Sequence, residues 1–512
     1  MNSTVTTDID RLAAPADDGG ILIWPRADAL AAIAQSNRRL CQSSEALLLD
    51  RPLREWRGEG QPIIMTGHQP EFFHAGVWAK NVVALDLAAK LGGEARFLAV
   101  DSDQSDGVEF AWPQVSNGFC HIGAIVLYPR QRDRAYEQLD DAIFDSLNEL
   151  VEKSAVAGES AASIFFRAML SGEQVNAADY VDCWTRGVLV VERRVHANSI
   201  PHVRVSRFFS FGQSGTAPAA ALTAHVLLSG RAWAEAYNAG LADYRLRRGI
   251  RGSDRPIPDL DVQAERVECP FWIMNPTEHR TRLFVSEDKD AVVLWAGNQL
   301  IGRAAVKELR SDPGIALERV LASWRIRPRA LTLMLFARLL ASDLFIHGIG
   351  GAKYDQITDH IIRRFFGVEP PKYACVSATL SLPLPTFSET HADYRQAVRR
   401  LRDIRFNPHR LGATLSSPEA LVRREAAIAE SSRLRHQTPN DRDARRRAFE
   451  RIRTANAEII ADRDVLMRDT HRQLTDLGAR LVSNRVASSR EWFFAMHSIE
   501  RLCGLREALR IR

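Results

Sequence analysis

The chain of 512 residues has few cysteines, few lysines and no long apolar run. Its six cysteines include no C-x-x-C pair, which argues against a zinc ribbon or a disulfide framework and favours reduced thiols in a bacterial-type cytoplasm. The most apolar stretch, residues 330–351, is interrupted by Arg338 and Asp343, so we expect no membrane span. No G-x-S-x-G, H-E-x-x-H, Walker A or G-x-G-x-x-G motif occurs in a fitting context, which argues against serine hydrolases, zincins and P-loop enzymes.

The composition is that of a globular protein, with 46% apolar residue types, 26% charged residues, ten Trp and 22 Phe. A chain of this length predicts two or three domains. Residues 1–20 are polar and acidic, lack the features of a secretion signal and predict a disordered tail. We interpret residues 21–384 as a catalytic core, residues 385–484 as a helical coiled-coil region, and residues 485–512 as a C-terminal helix that packs on the core.

The net charge of +5 is unevenly distributed. Residues 391–512 carry 26 Arg, no Lys and 16 Asp plus Glu, a local charge of +10, which leaves −5 for the remainder. Such a block can bind nucleic acid, but an exposed helical face with Arg–Asp and Arg–Glu pairs is the interpretation we favour. Apolar positions at coiled-coil spacing over residues 445–481, interrupted at Asp462, predict a long antiparallel helical hairpin that turns near residues 438–440. We expect this hairpin to be self-paired or to form a homodimer.

The fold class is predicted from the order of local patterns. Apolar runs over residues 62–66 and 95–100 flank a helical stretch, residues 76–91, within about 45 residues, which is the order of a βαβ unit and predicts a parallel sheet. Short β-rich runs within residues 268–305 predict antiparallel hairpins inserted into that sheet or beside it. The sequence therefore predicts an α/β fold with a Rossmann-like parallel-sheet core, β-hairpins and a C-terminal coiled-coil hairpin.

Other stretches follow the same patterns. Residues 140–185 and 331–340 are typical of helices, whereas residues 187–191 and 202–205 are typical of strands. Residues 343–347 predict a strand that leads through a glycine turn into a further helix over residues 354–366.

The loop after the first predicted core strand contains residue types suited to catalysis. It lies between a strand end and a helix start, where open α/β sheets bind ligands and where a helix offers N–H groups to an anion. His68 and His74 are candidate catalytic residues, because imidazoles exchange protons near neutral pH. The alternative is that both histidines only bind the backbone. The candidate substrate contacts in this segment are Thr66, Gly67, Gln69, Gly76, Trp78 and Lys80.

Two further segments follow strand ends. Asp101 and Asp103 are candidate catalytic residues that can act as a general base or hold an amine or a hard cation, or can merely cap the next element. His347 is a candidate catalytic residue before a glycine-rich turn of the kind that cradles anions. Around it, the candidate substrate contacts are Arg327, Gly348, Gly350, Gly351, Lys353 and Tyr354.

Some residues near these segments have a simpler interpretation. The arginines of residues 325–329 can clamp an anion, but an exposed surface is their expected place. Trp272, on an aromatic strand, can line a pocket, although such residues usually belong to a core. No motif predicts a metal site.

These blocks, in order along the chain, resemble those of the bacillithiol synthase family, whose members add cysteine. Thr66-Gly67-His68-Gln69 with Gly76-Val77-Trp78 is similar to the family's T-G-Q-Q and G-P-L-Y block. Asp101-Ser102-Asp103-Gln104 resembles its acidic E-D-H-D block. Arg327-Pro328-Arg329, leading to His347-Gly348-Ile349-Gly350-Gly351, resembles its R-P-L block and glycine turn.

The resemblance implies a nucleotidyltransferase-like core and a coiled coil that pairs two subunits. It also implies a ligase or transferase that joins a cysteine-like small molecule to an aminosugar-type acceptor, with ATP or ADP as a candidate cofactor. His68, His74, His347, Lys80 and Lys353 would surround the anion or leaving group, and Asp101 or Asp103 would hold the attacking amine. Two alternatives are an ATP-dependent nucleotidyltransferase and an Arg-rich protein that binds nucleic acid. Both enzymatic hypotheses require the glycine turns at residues 67–76 and 347–353 to line the same cavity.

Overall fold

A computed structural model of the chain describes residues 8–58, 60–131, 134–139, 150, 161–171, 179–250, 257–275, 279–414 and 417–511. The fold is mixed α/β. The strands are β1 (Ile21–Trp24), β2 (Leu47–Leu48), β3 (Arg51–Pro52), β4 (Ile63–His68), β5 (Glu94–Ala99), β6 (Val108–Ser116), β7 (Phe119–Tyr128), β8 (His202–Arg204), β9 (Val267–Met274), β10 (Thr281–Asp288), β11 (Ala291–Ala296), β12 (Gln299–Ala305), β13 (Arg325–Pro328), β14 (Leu344–His347) and β15 (Ala374–Ala378).

The helices are α1 (Leu30–Gln42), α2 (Leu53–Arg57), α3 (Ala75–Leu91), α4 (Ala161–Leu170), α5 (Tyr180–Val195), α6 (Val205–Phe208), α7 (Ala217–Leu228), α8 (Gly230–Arg248), α9 (Val306–Ser311), α10 (Pro313–Leu321), α11 (Ala330–Phe336), α12 (Ile349–Tyr354), α13 (Gln356–Ile361), α14 (His391–Phe406), α15 (Pro418–Gln437), α16 (Arg442–Glu458), α17 (Arg463–Ala487) and α18 (Ile499–Leu509). Two π-helical turns, Ala337–Ala341 and Ile362–Phe366, extend α11 and α13. Within the described ranges, no helix is both long and apolar enough to cross a membrane.

The chain divides into two compact units. Unit 1 comprises Met1–Trp112, Ala124–Leu382 and Arg490–Arg512, and unit 2 comprises Pro113–Gly123 and Pro383–Ser489. Each unit is thus assembled from segments that are distant in sequence.

The main sheet of unit 1 has the strand order β1-β15-β14-β4-β5-β8. Its neighbouring strands from β15 to β8 are parallel, and β1 pairs antiparallel with β15 at one edge. β4, α3 and β5 form the predicted βαβ unit, and the prediction of a parallel sheet is confirmed. The chain continues outward from β4 to β5 and β8, whereas β14 joins on the opposite side of β4. This reversal of strand order opens a crevice at the carboxyl ends of β4 and β14.

Local chemistry explains where α3 begins and ends. The side chain of His74 accepts a hydrogen bond from the backbone N–H of Gly76 and so caps the helix. At the other end, Gly92 adopts a left-handed conformation with φ 63°, which a glycine tolerates without steric cost. Gly93 then passes so close to Pro62 that a Cβ atom would collide with the Pro62 carbonyl group.

The predicted β-hairpins form a separate antiparallel sheet with the strand order β12-β11-β10-β9-β13. The prediction of hairpins is therefore confirmed. They are not inserted into the parallel sheet, and β13, just before α11, completes their own sheet by pairing with β9.

The prediction of a strand over residues 187–191 is wrong, because these residues lie within α5. Trp184, Val188, Val191 and Val195 are buried at helical spacing. Packing of this face overrides the strand preference of the valines. The predicted helical stretch 140–185 lies largely outside the described residues, which include α4 and the start of α5.

The prediction of a disordered tail is wrong for residues 8–20. Asp10 forms an ion pair with Arg248, and Asp18 forms one with Arg501 at 2.6 Å. The backbone N–H of Gly19 donates to the Thr379 carbonyl oxygen at 2.8 Å. Asp10 and Asp18, whose charges predict an exposed tail, thus form ion pairs with arginines that fix this segment.

Unit 2 is mainly helical. α15 and α16 pack together on either side of a turn at residues 438–441, where the sequence predicts it, and Arg424 Nε donates to Asn456 Oδ1 at 2.7 Å between them. The apolar stripe predicted over residues 445–481 is not one continuous helix. It is interrupted between the end of α16 and the start of α17, around Asp462.

Candidate active site

A cavity of about 650 Å³ lies at the carboxyl ends of β4, β5 and β14 in unit 1. The loop after β4, the first turns of α3 and the glycine turn after β14 all line it. The two glycine turns therefore shape one cavity, as the sequence analysis requires. The predicted site residues that line it are Gly67, His68, Gln69, His74, Gly76, Lys80, Asp103, His347, Gly348, Gly350, Gly351 and Tyr354.

His68, the last residue of β4, is held as a neutral imidazole. Burial and the charge of Lys80 lower the pKa of His68 to about 3. Its Nδ1 lies 3.1 Å from the carbonyl oxygen of Gln69, and a carbonyl only accepts, so the hydrogen-bond network assigns the proton to Nδ1. Nε2 is then left with a lone pair that can accept a proton.

His74 lines the same cavity but serves chiefly as a helix cap. Its Nδ1 accepts from the Gly76 N–H at 3.0 Å and lies 3.3 Å from Arg490 Nη2, while Nε2 lies 3.4 Å from a carboxylate oxygen of Glu491. Burial, Arg490 and Lys80 lower the pKa of His74 to about 4. For His74 the structure supports the backbone-binding alternative that the sequence left open.

Arg490 is a cavity residue that the sequence analysis missed. Its Nη2 donates to Ser377 Oγ and to the Ala378 carbonyl oxygen, both at 3.0 Å. A Cβ atom at Gly76 would collide with the Arg490 guanidinium group. Gly76 therefore leaves room for this arginine, rather than only for a substrate. The one sequence signal was the aromatic run directly after residues 490–491, in an otherwise polar region.

Lys80 lies one turn inside α3 with 2% of its surface exposed. Its Nζ donates to the carbonyl oxygen of Gly67 at 2.6 Å. Burial lowers the pKa of Lys80 to about 7.

Asp103 connects the loop after β4 to the loop after β5. Gln69 Nε2 donates to one of its carboxylate oxygens at 3.0 Å, and Arg280 Nη1 lies 3.3 Å from the other. The Arg280 guanidinium stacks 4.6 Å from the centre of the Trp272 ring, and Trp272 also lines the cavity. Trp272 is thus a pocket residue, in contrast to its expected place in a core.

His347, at the end of β14, is buried beside the cavity and paired with Asp355. Its Nε2 lies 2.9 Å from Asp355 Oδ2, and Arg338 Nη1 donates to the same oxygen at 2.8 Å. Burial alone would raise the pKa of Asp355, but Arg338 and His347 hold it below its usual value. A Cβ atom at Gly351 would lie 2.9 Å from His347 Nδ1, which explains a glycine at this turn.

Asp101 does not line the cavity and is a structural residue. Its carboxylate is fully buried, lies 2.7 Å from Arg204 Nε and accepts from the Ser206 N–H at 2.9 Å. Burial and Glu137 raise the pKa of Asp101. The prediction of a catalytic role at this position is therefore corrected.

Four predicted substrate contacts also lie away from the cavity lining. The Thr66 hydroxyl donates to the Ile346 carbonyl oxygen at 2.9 Å, and the Trp78 ring stacks on Phe494 with centroids 5.6 Å apart. Arg327 is buried in an ion pair with Glu137 at 2.6 Å, and Lys353 is half-buried on α12. Thr66 and Trp78 are buried in the core and Arg327 pairs with a buried carboxylate, so these three residues support the site without lining it.

The expected surface position of residues 325–329 holds for Arg325 but is wrong for Arg327 and Arg329. Arg329 is buried, forms an ion pair with Glu268 and lies 4.3 Å from the centre of the Trp272 ring. It lines the cavity at the start of α11. The basic side chains on the cavity are thus Arg329, Arg490 and Lys80.

In the described part of the chain, no group of three or more His, Cys, Asp or Glu side chains is arranged to hold a metal ion. No protein-family model matches the chain, and no curated protein matches it.

Proposed function

We propose that the chain is an enzyme, a ligase or transferase that joins a cysteine-like small molecule to an aminosugar-type acceptor. One observation carries this proposal: His68 and His347 line a single cavity from the ends of the neighbouring strands β4 and β14. An attacking amine or thiol must lose a proton, and a neutral imidazole takes it efficiently.

His347 is the stronger candidate for the general base. Because its Nε2–H is donated to Asp355, its Nδ1 remains to accept a proton. The imidazolium that forms is stabilised by the Asp355 carboxylate, which Arg338 keeps ionised. His68 is the weaker candidate, because burial and the charge of Lys80 lower its pKa to about 3, far below the pH at which a general base works best.

The basic residues Lys80, Arg329 and Arg490 suit a negatively charged substrate or leaving group. A carboxylate forms an amide only after its acyl group has been activated, and a nucleotide is the activating group that the family resemblance suggests. We therefore propose ATP or ADP as the cofactor.

The experiment is to incubate the purified protein with cysteine and an aminosugar conjugate, with ATP, with ADP and without nucleotide, and to analyse the products by mass spectrometry. We expect a joined product, and we expect His347→Ala to abolish it. His471→Ala, on the exposed surface of α17, is the matched control and should retain it. An unmodified acceptor under every condition would contradict the proposal, and pyrophosphate release without a joined product would identify the nucleotidyltransferase alternative.

We also propose that unit 2 pairs two copies of the chain. Its helices expose apolar side chains, among them Val422, Phe449 and Val465. Light scattering should give the mass of a dimer, and Phe449→Arg should give a monomer. Arg–Glu pairs within its helices, such as Arg433 with Glu430 and Arg446 with Glu450, favour an exposed mixed-charge surface over a nucleic-acid interface.

A further inference from the structure

Buried arginines of unit 1 have carboxylate partners. Arg327, Arg329 and Arg338 each form an ion pair with an aspartate or a glutamate. Lys80 is as deeply buried as these arginines, yet no carboxylate among the described residues lies within ion-pair distance of its Nζ. Lys80 is therefore a buried amine without a counter-ion.

Among the described residues, the hydrogen-bond acceptor of Lys80 does not supply a counter-charge. Its acceptor is the Gly67 carbonyl oxygen, which binds a neutral amine as well as a charged one.

Nor is a carboxylate on the cavity wall left over for Lys80. Asp103 is paired with Arg280, Asp355 with Arg338, and Glu491 lies 3.6 Å from Arg490. Because an unpaired buried charge costs free energy, Lys80 favours its neutral form when no anion is bound.

We propose that the counter-ion of Lys80 is the anionic group of the substrate, a carboxylate or a phosphate, and that this group binds with uptake of one proton by Lys80. The inference rests on the proposed function in one respect, since the anion belongs to a substrate of the same cavity. In the step, the solvent gives a proton to Nζ, and the ammonium then pairs with the bound anion.

The titratable groups that face Lys80 do not gain or lose protons in the pH range in which Lys80 titrates. His68 on β4 and His74 before α3 have their pKa values lowered by burial to about 3 and about 4, and burial raises the pKa of Cys375 on β15 to about 11. The other elements packed on α3 are β5, β14, α1, α18 and the 3₁₀ turn Phe494–Met496. They bring no described charged group into electrostatic contact with Lys80. The pKa of about 7 for Lys80 therefore places its titration between those of its neighbours.

Sulfate is a suitable probe, because its charge does not change in the range tested. Between about pH 7.5 and about pH 9.5, the Lys80 amine of the ligand-free protein is largely neutral. Each increase of one pH unit should therefore raise the dissociation constant of sulfate about tenfold. Calorimetry at about pH 8, in two buffers with different ionisation enthalpies, should show uptake of close to one proton per sulfate bound.

Lys80→Met should weaken sulfate binding at about pH 7.5 by tenfold or more and remove its pH dependence. Lys90→Met, at the exposed end of the same helix, is the matched control and should behave as the wild type. Acetate and methyl phosphate, compared at the lower pH, distinguish a carboxylate from a phosphate as the preferred group.

A sulfate affinity that is constant over this range, or an unchanged pH slope in Lys80→Met, would overturn the inference. If Lys80→Met does not fold, the number of protons that the wild type takes up on binding sulfate still tests the inference. If sulfate binding is linked to proton uptake but no joined product forms, this inference stands and the proposed reaction is rejected. If a joined product forms but sulfate binding does not depend on pH, the proposed reaction stands and this inference is rejected.

Discussion

His347 Nε2 and Asp355 Oδ2 are 2.9 Å apart at the wall of the cavity, and Arg338 shares the same carboxylate oxygen. The carboxylate therefore sets which imidazole nitrogen carries the proton, while the arginine keeps the carboxylate charged. All three residues come from one short stretch of the chain: Arg338 lies in the π-helical turn after α11, His347 ends β14, and Asp355 lies between α12 and α13.

Asp355→Asn should lower kcat by about 10²- to 10⁴-fold, because the amide cannot stabilise a protonated His347. Asp359→Asn is the matched control, since Asp359 pairs with Arg338 at 2.6 Å without contacting His347. Steady-state kinetics of both variants at equal folded fractions would test this prediction. A kcat in Asp359→Asn as low as that in Asp355→Asn would contradict a specific role for the contact between His347 and Asp355.

Gly76→Ala should destabilise the protein and impair activity together, because the new methyl group would meet the Arg490 guanidinium and the Ala378 carbonyl oxygen. Gly504→Ala is the control: Gly504 lies within α18, and nothing lies within 4 Å of an added Cβ. There alanine should be neutral or stabilising by up to about 1 kcal/mol. Thermal unfolding measures both effects, and an unchanged Tm in Gly76→Ala would contradict the close approach of Arg490 and Ala378 to this residue.

Arg327→Met should act on stability. It leaves the buried Glu137 carboxylate with only the half-exposed Arg325, at 4.0 Å, and breaking a buried pair typically costs on the order of 3–5 kcal/mol. Arg327→Met/Glu137→Leu should recover much of this loss, because no uncompensated charge remains. Urea unfolding of the single and double variants gives the comparison. If KM rises in the folded double variant while stability is restored, Arg327 would be a substrate contact after all.

In acid, the protein should lose the stability that the neutral, buried His202 contributes. Burial lowers the pKa of His202 to about 3, so the folded state keeps it neutral, whereas the unfolded chain protonates it below about pH 6.5. The unfolded state then binds more protons, and the free energy of unfolding falls as the pH drops from about 6.5 towards about 3. The loss at about pH 5 is on the order of 2 kcal/mol for this histidine.

His202→Gln should therefore flatten the pH dependence of the unfolding free energy between about pH 7.5 and about pH 5. His471→Ala, at an exposed histidine, should leave that slope as it is in the wild type. Equal slopes in His202→Gln and the wild type, measured by urea unfolding, would contradict a neutral buried imidazole.

The sequence predicts those parts of the site that local patterns encode. β4, α3 and β5 show their periodicities within one short stretch, and the strand before Gly348 ends in a visible glycine turn. Since parallel strands end at the same edge, His68 and His347 could be placed on one cavity from the sequence alone.

The remaining parts of the site depend on distant partners. Nothing near Asp101 in the sequence indicates Arg204, and nothing near Gly76 indicates Arg490. Similarly, valines over residues 187–191 favour a strand locally, and only their packing partners make them helical. The burial of charged residues was the hardest property to predict, because buried ion pairs and exposed charged surfaces are made of the same residue types.

The segmental layout of unit 1 has a consequence for how the protein matures. The polypeptide passes through all of Pro383–Ser489 before it returns to unit 1 with Arg490, and Phe494 then covers Trp78. A ribosome makes the chain from its amino end and therefore delivers His68 and His74 more than 400 residues before Arg490. The pocket is complete only once Arg490 has been made, so a chain that stops before this residue lacks part of the cavity wall.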